Sequence, residues 1–526
     1  MTKPAPHITA MLEQIAKSHP HAPAITLGKR MLSYGALLEE SQRIAAGLVD
    51  LGLGAGDRMG FWLPNILAYL TTFLACARLG VVCVSINTRF GAAEIGDLIL
   101  RSGAKTLLIA RKNGDQSTGQ ILSEIDNDIL ARVRLVIDAG DQTDPSPIEH
   151  AKLVSYRELQ SFDPWTDCVG DAKSPMAIFT TSGTTKAPKL VLQGQHSLTQ
   201  HGLDVAASFG IAPSKHTSLQ ALPLCGVFGL AQAMAVLAGG GHIMLMDPID
   251  VPTTLDLLER HKIDSLFCSD DLIDRLLSAT DKTPPFRSLD TIGFAAFNTA
   301  LTDIAERADA RGIRLFGLYG MSECMALFAR RDPLEALEDR KKAGGRPLSP
   351  HGEFRVCDPD TGDVLAQGEV GALEIKGPSL MLHYDGDSAA TADAFSPGGW
   401  FRTGDLAVDE GYGSFEFLGR MGDVLRLGGF LVNPLEIEEH LQSHTDIDAA
   451  QVVAIPTPQG PRPVAFIICP DGPPEDADLF DHCTVLAKFK RPIRFLSLDA
   501  FPVTQSANGV KIQRAKLREM ALDALD

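Results

Sequence analysis

Residues 180–189, with the sequence TTSGTTKAPK, place small hydroxyl side chains, one glycine and two lysines between two apolar runs. The glycine permits a turn that exposes successive backbone amides, the hydroxyls add donors, and the lysines add positive charge. These groups suit a phosphate ligand, although a solvated surface turn has the same composition. The residues concerned are Thr181, Ser182, Gly183, Thr184, Thr185, Lys186 and Lys189.

This segment does not fit the Walker-type phosphate loop. In that loop a Gly-Lys-Ser/Thr sequence opens directly into a helix, whose N-terminus holds the phosphates. Here Lys189 follows Pro188, and the next residues, LVLQG, favour a strand. The sequence therefore predicts a strand, a loop and a second strand.

The elements around this segment alternate between helical patterns and short apolar runs, which is typical of α/β layers with largely parallel sheets. An amphipathic helix is predicted to end at Gly52, and strands are predicted in RMGFWLP, VVCVSIN and KTLLIAR. The long apolar stretches 66–86 and 229–246 are interrupted by Arg78, Gly80 and a run of glycines. Each is predicted to be a buried helix followed by a strand, not a membrane span.

The pattern changes after Trp400. Gly428 and Gly429 form a predicted two-residue hairpin turn, and Asn433, Pro434 and Glu436 suit the start of a helix. We therefore predict a first domain at 1–419, a joint at 420–423 and a small α+β domain at 424–526.

Length, charge and cysteine content limit the class of protein. A chain of 526 residues predicts about three or four folding units. A net charge of −18 without a basic block argues against a nucleic-acid partner. The nine cysteines lack metal-ligand spacing and are predicted to be free thiols in a reducing compartment. Because the N-terminus lacks the apolar core of a signal peptide, we expect a cytoplasmic protein.

Five further motifs follow the first in order. They are LPLCGVFGL (222–230), LYGMSE (318–323), GWFRTGDLA (399–407), LGRMGDVLRLGGFLVNPLEIE (418–438) and NGVKIQR (508–514). Together the six resemble the signature motifs of the adenylate-forming superfamily, which covers acyl-CoA synthetases, stand-alone adenylation domains and firefly-type luciferases. The segments LSYGALLEESQRIAAGLVDLGLGAGDRM and LPN are also similar, so the resemblance spans nearly the whole chain.

The resemblance implies an α/β fold, with a large multi-subdomain N-terminal domain and a small mobile C-terminal domain. It implies an AMP-forming acyl-CoA synthetase that uses ATP, Mg²⁺ and CoA on a small-molecule carboxylate, with no nucleic acid and no membrane span. Two alternatives stay open: an adenylation enzyme that loads a carrier protein, and a catalytically impaired nucleotide-binding regulator. The oligomeric state is also open, with a homodimer as one option.

The resemblance further implies a role for individual residues. Glu323 would bind the metal, Tyr319 would stack on adenine, and Ser322 would contact the α-phosphate. Taken alone, Glu323 is equally an acid at a helix start, and Tyr319 a core aromatic. The nucleotide site then comprises Thr181, Ser182, Gly183, Thr184, Thr185, Lys189, Tyr319, Gly320, Met321, Ser322, Asp405 and Arg420, the last two at the ribose.

Lys511 is the predicted catalytic residue, because the matching lysine of the family bridges the carboxylate and the α-phosphate during adenylation. Val510 separates it from glycine, a departure from the common Gly-Lys pair. Lys488 and Lys490 are predicted to be solvated instead. Gly422 matches the hinge position, where the family usually has Asp or Lys.

Two further groups of residues are assigned by motif position. The Gly428–Gly429 turn would flank the CoA tunnel. The acyl pocket would contain Gly226, Val227, Phe228, Phe294 and Phe297, and Gly226 stands where many relatives have histidine. This apolar set predicts a hydrophobic monocarboxylate, aromatic or of medium chain length. Ser269, Asp270 and Asp271 are predicted to start a helix, not to form a catalytic carboxylate pair.

Overall fold

The structure is a computed structural model. It describes residues 6–114, 116–140, 145–181, 188–247, 250–296, 301, 303–421, 425–427, 430–432, 434–457, 460–470, 472–506 and 509–524, without the side chains of 426, 430, 431, 504–506 and 509–511. The chain forms two compact units. The larger comprises Met1–Ala295, Asp303–Glu353 and Lys376–Gly399, and the smaller comprises Ala296–Thr302, Phe354–Ile375 and Trp400–Asp526.

The first sheet of the larger unit has a parallel centre and antiparallel edges. Strands in its centre pair in parallel, as in Ser265–Ser269 beside Thr291–Ala295, whereas Pro23–Leu27 and Arg30–Ser33 form an antiparallel edge. In spatial order the strands are Gly344–Pro347, Ala329–Arg330, Arg314–Tyr319, Thr291–Ala295, Ser265–Ser269, Thr217–Gln220, His242–Leu245, Pro23–Leu27 and Arg30–Ser33.

The second sheet of the larger unit carries the hydroxyl-rich segment at one side. Pro175–Thr180 pairs in parallel with Val82–Ser85 and antiparallel with Leu190–Gly194. In spatial order the strands are His383–Tyr384, Leu190–Gly194, Pro175–Thr180, Val82–Ser85, Arg58–Trp62, Thr106–Ile109, Leu135–Asp138 and Lys152–Ser155. Two short strands, Lys112–Asn113 and Gln116–Ser117, pair separately.

Helices of the larger unit cover these sheets. Every residue of Leu67–Leu79 and of Val227–Ala238 is buried, because these two helices lie inside the apolar core and not on its surface. The other helices are Ile8–Ser18, Tyr34–Asp50, Ala92–Ser102, Thr118–Ser123, Asn127–Leu130, Tyr156–Leu159, Gln195–Ser208, Val251–Arg260, Asp270–Ser278, Ile304–Asp309, Leu337–Arg340 and Ser388–Asp393, with a 3₁₀ turn at Ser322–Cys324.

The described residues of the smaller unit form two sets of paired strands and two hairpins. Its first sheet has the order Glu353–Cys357, Val370–Lys376, Trp400–Gly411 and Ser414–Arg420, and its second has Ala449–Ile455, Arg462–Ile468 and Phe495–Ser497. The hairpins are Leu425–Leu427 with Phe430–Val432, and Val503–Ser506 with Gly509–Ile512. The helices are Pro434–Gln442, Asp476–His482 and Arg514–Asp523, with a 3₁₀ turn at Cys483–Val485.

Most local predictions are confirmed. The predicted helix runs over Tyr34–Asp50, and the stretches 66–86 and 229–246 each contain a buried helix followed by a strand. Within the described residues, no helix has the length and apolar character needed to cross a membrane. The joint at 420–423 stays a prediction, since 422–424 lie outside the described residues.

Candidate active site

The ends of the hydroxyl-rich segment meet at the edge of the second sheet. The Thr181 amide donates to the Lys189 carbonyl at 3.0 Å, and the Lys189 amide donates to Thr181 Oγ1 at 3.2 Å. The two predicted strands are confirmed, because they pair in register up to Thr180 and Leu190. The residues between them that were predicted to bind phosphate lie outside the described part of the chain; they are Ser182, Gly183, Thr184, Thr185 and Lys186.

A tight reversal after the strand Arg314–Tyr319 carries the second group of predicted residues. The Ala326 amide donates to the Met321 carbonyl at 2.8 Å, and the Phe328 amide donates to the Tyr319 carbonyl at 2.9 Å. A Cβ atom at Gly320 would lie 1.9 Å from the Ala326 carbonyl oxygen, so only glycine fits at this close approach. This reversal places Tyr319, Met321 and the 3₁₀ turn with Ser322 and Glu323 at one end of the sheet.

Two contacts join Glu323 to the base of the hydroxyl-rich segment. The Tyr384 hydroxyl donates to Glu323 Oε1 at 2.8 Å, and Lys189 Nζ lies 4.4 Å from the centre of the Tyr384 ring. Tyr384 belongs to the short strand beside Leu190–Gly194, with Val191 opposite it. Lys189 and Glu323 therefore both contact one buried tyrosine, the lysine over its ring and the glutamate at its hydroxyl.

Backbone contacts fix the turn that carries Glu323. Gln193 Nε2 donates to the Ser322 carbonyl at 2.9 Å and to the Glu323 carbonyl at 3.3 Å. The Met381 amide donates to the same Glu323 carbonyl at 2.7 Å. The acid is thus positioned by the neighbouring sheet as well as by its own turn.

The surroundings of Glu323 fit a magnesium ion that is shared with a phosphate ligand. The residue is 8% exposed, and Oε2 makes no hydrogen bond to any described residue. Among the described residues there is also no cluster of three acidic, histidine or cysteine ligands. Mg²⁺ commonly keeps several waters and binds one or two carboxylates plus substrate phosphates, so a single available carboxylate oxygen suits it.

The predicted acyl segment is held at the start of the buried helix Val227–Ala238. Asn65 Oδ1 accepts from the Leu224 amide at 2.8 Å, and Gln220 Nε2 donates to the Gly229 carbonyl at 3.1 Å. A Cβ at Gly229 would lie 2.1 Å from the Pro223 carbonyl oxygen. These contacts place Gly226 at the N-cap, followed by the buried side chains of Val227 and Phe228.

Two phenylalanines that were predicted to line the acyl pocket lie on opposite faces of the first sheet. Phe228 stacks on Phe267 with ring centres 6.5 Å apart and planes 14° apart. Phe267 is in register with Gly293, and side chains of successive strand residues point to opposite faces. Phe294 therefore lies on the face opposite Phe228, and the structure does not bring these two together. Phe297 lies outside the described residues.

In the smaller unit the structure brings Asp405 and Arg420 together. They are opposite each other on paired strands, and Arg420 Nε lies 3.0 Å from Asp405 Oδ1. The Asp405 side chain is 2% exposed, so the ion pair is buried on the aspartate side. Their predicted ribose contacts stay a prediction.

Lys511 lies on a hairpin strand of the smaller unit, with Thr504 opposite it. Its side chain is outside the description. Arg514, three residues later, forms an ion pair with Glu438 at 2.8 Å and donates to the Val452 carbonyl at 3.1 Å. Glu438 is 2% exposed, so the arginine of the KIQR motif anchors the end of this hairpin to the core of the unit.

The remaining predictions for single residues have mixed outcomes. Lys490 forms an ion pair with Glu436 at 2.6 Å rather than being simply solvated. Ser269 caps the helix Asp270–Ser278 by accepting from the Leu272 amide, as predicted. The nine cysteines are unbridged. Gly422, Gly428 and Gly429 lie outside the described residues, although the strands on either side of the Gly428–Gly429 turn pair as predicted.

Comparison with known proteins places these motifs in a family. The family described as AMP-binding enzyme matches residues 12–385, and its C-terminal domain matches residues 436–508. The chain belongs to the AMP-binding enzyme family. Its predicted membership of the adenylate-forming enzymes is therefore confirmed.

Relatives and solved structures in the AMP-binding enzyme family cover almost the whole chain. A feruloyl-CoA synthase from Amycolatopsis sp is 28% identical over 94% of this chain and 96% of its own. The mitochondrial medium-chain acyl-CoA ligase ACSF2 of Macaca fascicularis is 26% identical over 93% and 82%. ATP-bound MatB from Rhodopseudomonas palustris has a TM-score of 0.83 at 24% identity, over 99% of this chain and 100% of MatB.

These findings confirm the broad predictions. The fold is α/β, with a large N-terminal domain and a smaller C-terminal domain. The protein is an AMP-forming acid–thiol ligase of the acyl-CoA synthetase type, with ATP, Mg²⁺ and CoA as its cofactor and cosubstrates and a small-molecule carboxylate as substrate. The identity of the acid and the roles of single residues stay predictions.

Sequence reasoning missed three residues that hold this site of the AMP-binding enzyme. Tyr384 contacts Glu323 and Lys189, Gln193 holds the turn of Glu323, and Gln220 holds the acyl segment. Each is distant in sequence from the residue that it positions. The sequence offered a signal for Gln193, which directly follows the strand residues LVL. A buried strand seldom carries an amide side chain without a hydrogen-bond partner, so this glutamine is expected to hold another segment in place.

Proposed function

We propose that this enzyme activates a hydrophobic monocarboxylate, aromatic or of medium chain length, and transfers it to CoA. The observation that supports the proposal is the apolar packing at the start of the helix Val227–Ala238, where the buried ring of Phe228 stacks on the buried ring of Phe267. Phe267 in turn packs edge-on against Phe209, with ring centres 4.8 Å apart. The named substrates of two relatives, feruloyl and medium-chain acyl groups, belong to the same classes.

The first step joins two anions. A carboxylate oxygen of the acid attacks the α-phosphorus of ATP in line, the bond to the β-phosphate oxygen breaks, and pyrophosphate leaves with the electron pair. When bound, Mg²⁺ supplies charge that neutralises phosphate oxygens, and Glu323 would hold it. Lys189 and the donors of the hydroxyl-rich segment would orient the phosphates.

The second step transfers the acyl group. The CoA thiol loses its proton and attacks the carbonyl carbon of the acyl-AMP, and AMP leaves as the anhydride bond breaks. Lys511 would act in the first step, where its ammonium offsets the repulsion between carboxylate and α-phosphate. A donor placed in this way contributes about 10²–10³ in rate.

A panel of carboxylic acids tests the proposal. AMP release and thioester formation would be measured with CoA alone, across aromatic, medium-chain, short-chain and dicarboxylic acids. We expect aromatic or medium-chain acids to have the highest kcat/KM, and Lys511→Ala to lower acyl-AMP formation by about 10²–10³-fold. Preference for acetate or a dicarboxylate would refute the apolar pocket.

The same assay separates the alternatives. An enzyme that loads a carrier protein would form acyl-AMP but release little AMP with CoA alone. An impaired regulator would show no acid-dependent pyrophosphate exchange. We further propose a cytoplasmic enzyme and a homodimer, to be checked by cell fractionation and by light scattering.

A further inference from the structure

Tyr384 contacts two charged groups that the proposed reaction uses. Its ring lies under the Lys189 ammonium at 4.4 Å, and its hydroxyl donates to Glu323 Oε1 at 2.8 Å. Lys189 and Glu323 are both described residues, and they form no ion pair with each other. The tyrosine is 4% exposed, so its position is set by packing and not by solvent.

The consequences for charge follow from this geometry. A direct pair between the ammonium and the carboxylate would satisfy both groups and make each less available to a ligand. In the structure the ammonium is instead held by a cation–π contact with the ring, and the carboxylate by one hydrogen bond from the neutral hydroxyl. The second carboxylate oxygen then stays available, and the lysine charge stays available to a phosphate.

We infer that Tyr384 is a positioning residue for the metal–nucleotide site: it orients Glu323 through its hydroxyl and holds the Lys189 ammonium through its ring. The inference rests on the proposed role of Glu323 in binding Mg²⁺. A hydrogen bond to a liganding carboxylate orients that ligand, and its loss typically weakens metal binding by about 10–100-fold.

Two substitutions separate the hydroxyl from the ring. Tyr384→Phe removes only the hydroxyl, so we expect Mn²⁺ to bind about 10-fold more weakly in the presence of ATP, with metal-free ATP binding unchanged. Tyr384→Leu also removes the ring, and with it the cation–π contact that holds the Lys189 ammonium. We expect this variant to lose about 100-fold in Mn²⁺ binding and to bind metal-free ATP more weakly as well.

Binding is measured without any acid, by electron paramagnetic resonance of Mn²⁺ at fixed ATP and by calorimetry of ATP in EDTA. Tyr156→Phe is a matched control, because the buried Tyr156 hydroxyl also donates to a glutamate, Glu40 Oε1 at 3.0 Å, elsewhere in the same unit. We expect that control to lower the thermal midpoint but to leave Mn²⁺ binding unchanged.

A double-mutant cycle tests the route through Glu323. In a Glu323→Gln background, Tyr384→Phe should have no further effect on Mn²⁺ binding. The inference is overturned if Tyr384→Phe binds Mn²⁺ with ATP as the wild type does, if Tyr156→Phe weakens that binding equally, or if the two effects simply add. Failure of every acid in the activity panel would refute the proposed function instead, and would leave these binding results interpretable.

Discussion

The imidazole of His201 packs inside the larger unit, against the reversal that follows Tyr319. Burial lowers the pKa of His201 to about 4, and a hydrogen bond with the Met325 backbone opposes that shift only in part. Its Nε2 atom is buried and makes no hydrogen bond to the described residues. The histidine is therefore neutral in the folded enzyme at neutral pH.

This burial predicts a loss of stability in acid. Because the folded-state pKa of His201 lies below the ordinary value of about 6.5, the unfolded chain binds the proton more tightly. The stability that the protein gains by burying the neutral imidazole is complete above pH 6.5 and is lost as the pH falls toward 4. We expect His201→Gln to reduce the fall in unfolding free energy between pH 7 and pH 5 by about 2 kcal/mol, as measured by urea denaturation.

A suitable control is His351→Gln, which changes an exposed histidine in the same unit. It should leave the pH dependence of the wild type unaltered. If His201→Gln and the wild type lose equal stability between pH 7 and pH 5, the neutral state assigned to His201 is wrong.

At the scale of elements, the reversal between Tyr319 and Phe328 combines stability with function. It carries Glu323, and its tightness depends on Gly320, where no side chain fits beside the Ala326 carbonyl. Met325 and Ala326 have positive φ angles of 59° and 63°, a conformation that non-glycine residues seldom adopt. Strain of this kind persists where the surrounding structure holds it, as Gln193 and Met381 do here.

Gly320→Ala tests this element. The added methyl group would force the two sides of the reversal apart and displace Glu323. We expect a loss of about 1–3 kcal/mol in stability and roughly 100-fold in pyrophosphate exchange, because a displacement of about 1 Å at a reacting group can cost that much. Thermal unfolding and the exchange assay measure the two effects.

Gly54→Ala is the control for that substitution, since a Cβ at Gly54 would meet nothing within 4 Å. It should leave both stability and exchange near the wild-type values. A Gly320→Ala enzyme with normal exchange would show that the reversal does not position the metal ligand.

At the scale of the whole molecule, the two half-reactions are predicted to need rotation of the small domain about Gly422. Glycine permits a wide range of φ and ψ angles at such a joint, whereas proline restricts φ to about −65°. We expect Gly422→Pro to form acyl-AMP at a near-normal rate but to make thioester poorly, by at least about 10-fold. Single-turnover measurements of each step provide the readout.

Gly422→Ala is the matched variant, because it adds a side chain without fixing φ. Both half-reactions should then continue close to normal. Survival of both steps in Gly422→Pro would place the hinge at another residue.

Much of the fold could be predicted because the relevant signals are local. Apolar runs of strand or helix length, interrupted by glycine, identified the buried helices Leu67–Leu79 and Val227–Ala238 and the strands after them. The order of six short motifs then identified the family, since each motif is a contiguous stretch of chain.

The sequence alone thus determined the fold class, the enzyme class and the two strands that flank the hydroxyl-rich segment, because these depend on neighbouring residues. Only the tertiary structure decided that Tyr384 contacts both Lys189 and Glu323, and that Phe294 and Phe228 lie on opposite faces of a sheet. The physical reason is that such contacts join segments far apart along the chain. They are set by strand register and by the packing of the sheets, which no short stretch of residues encodes.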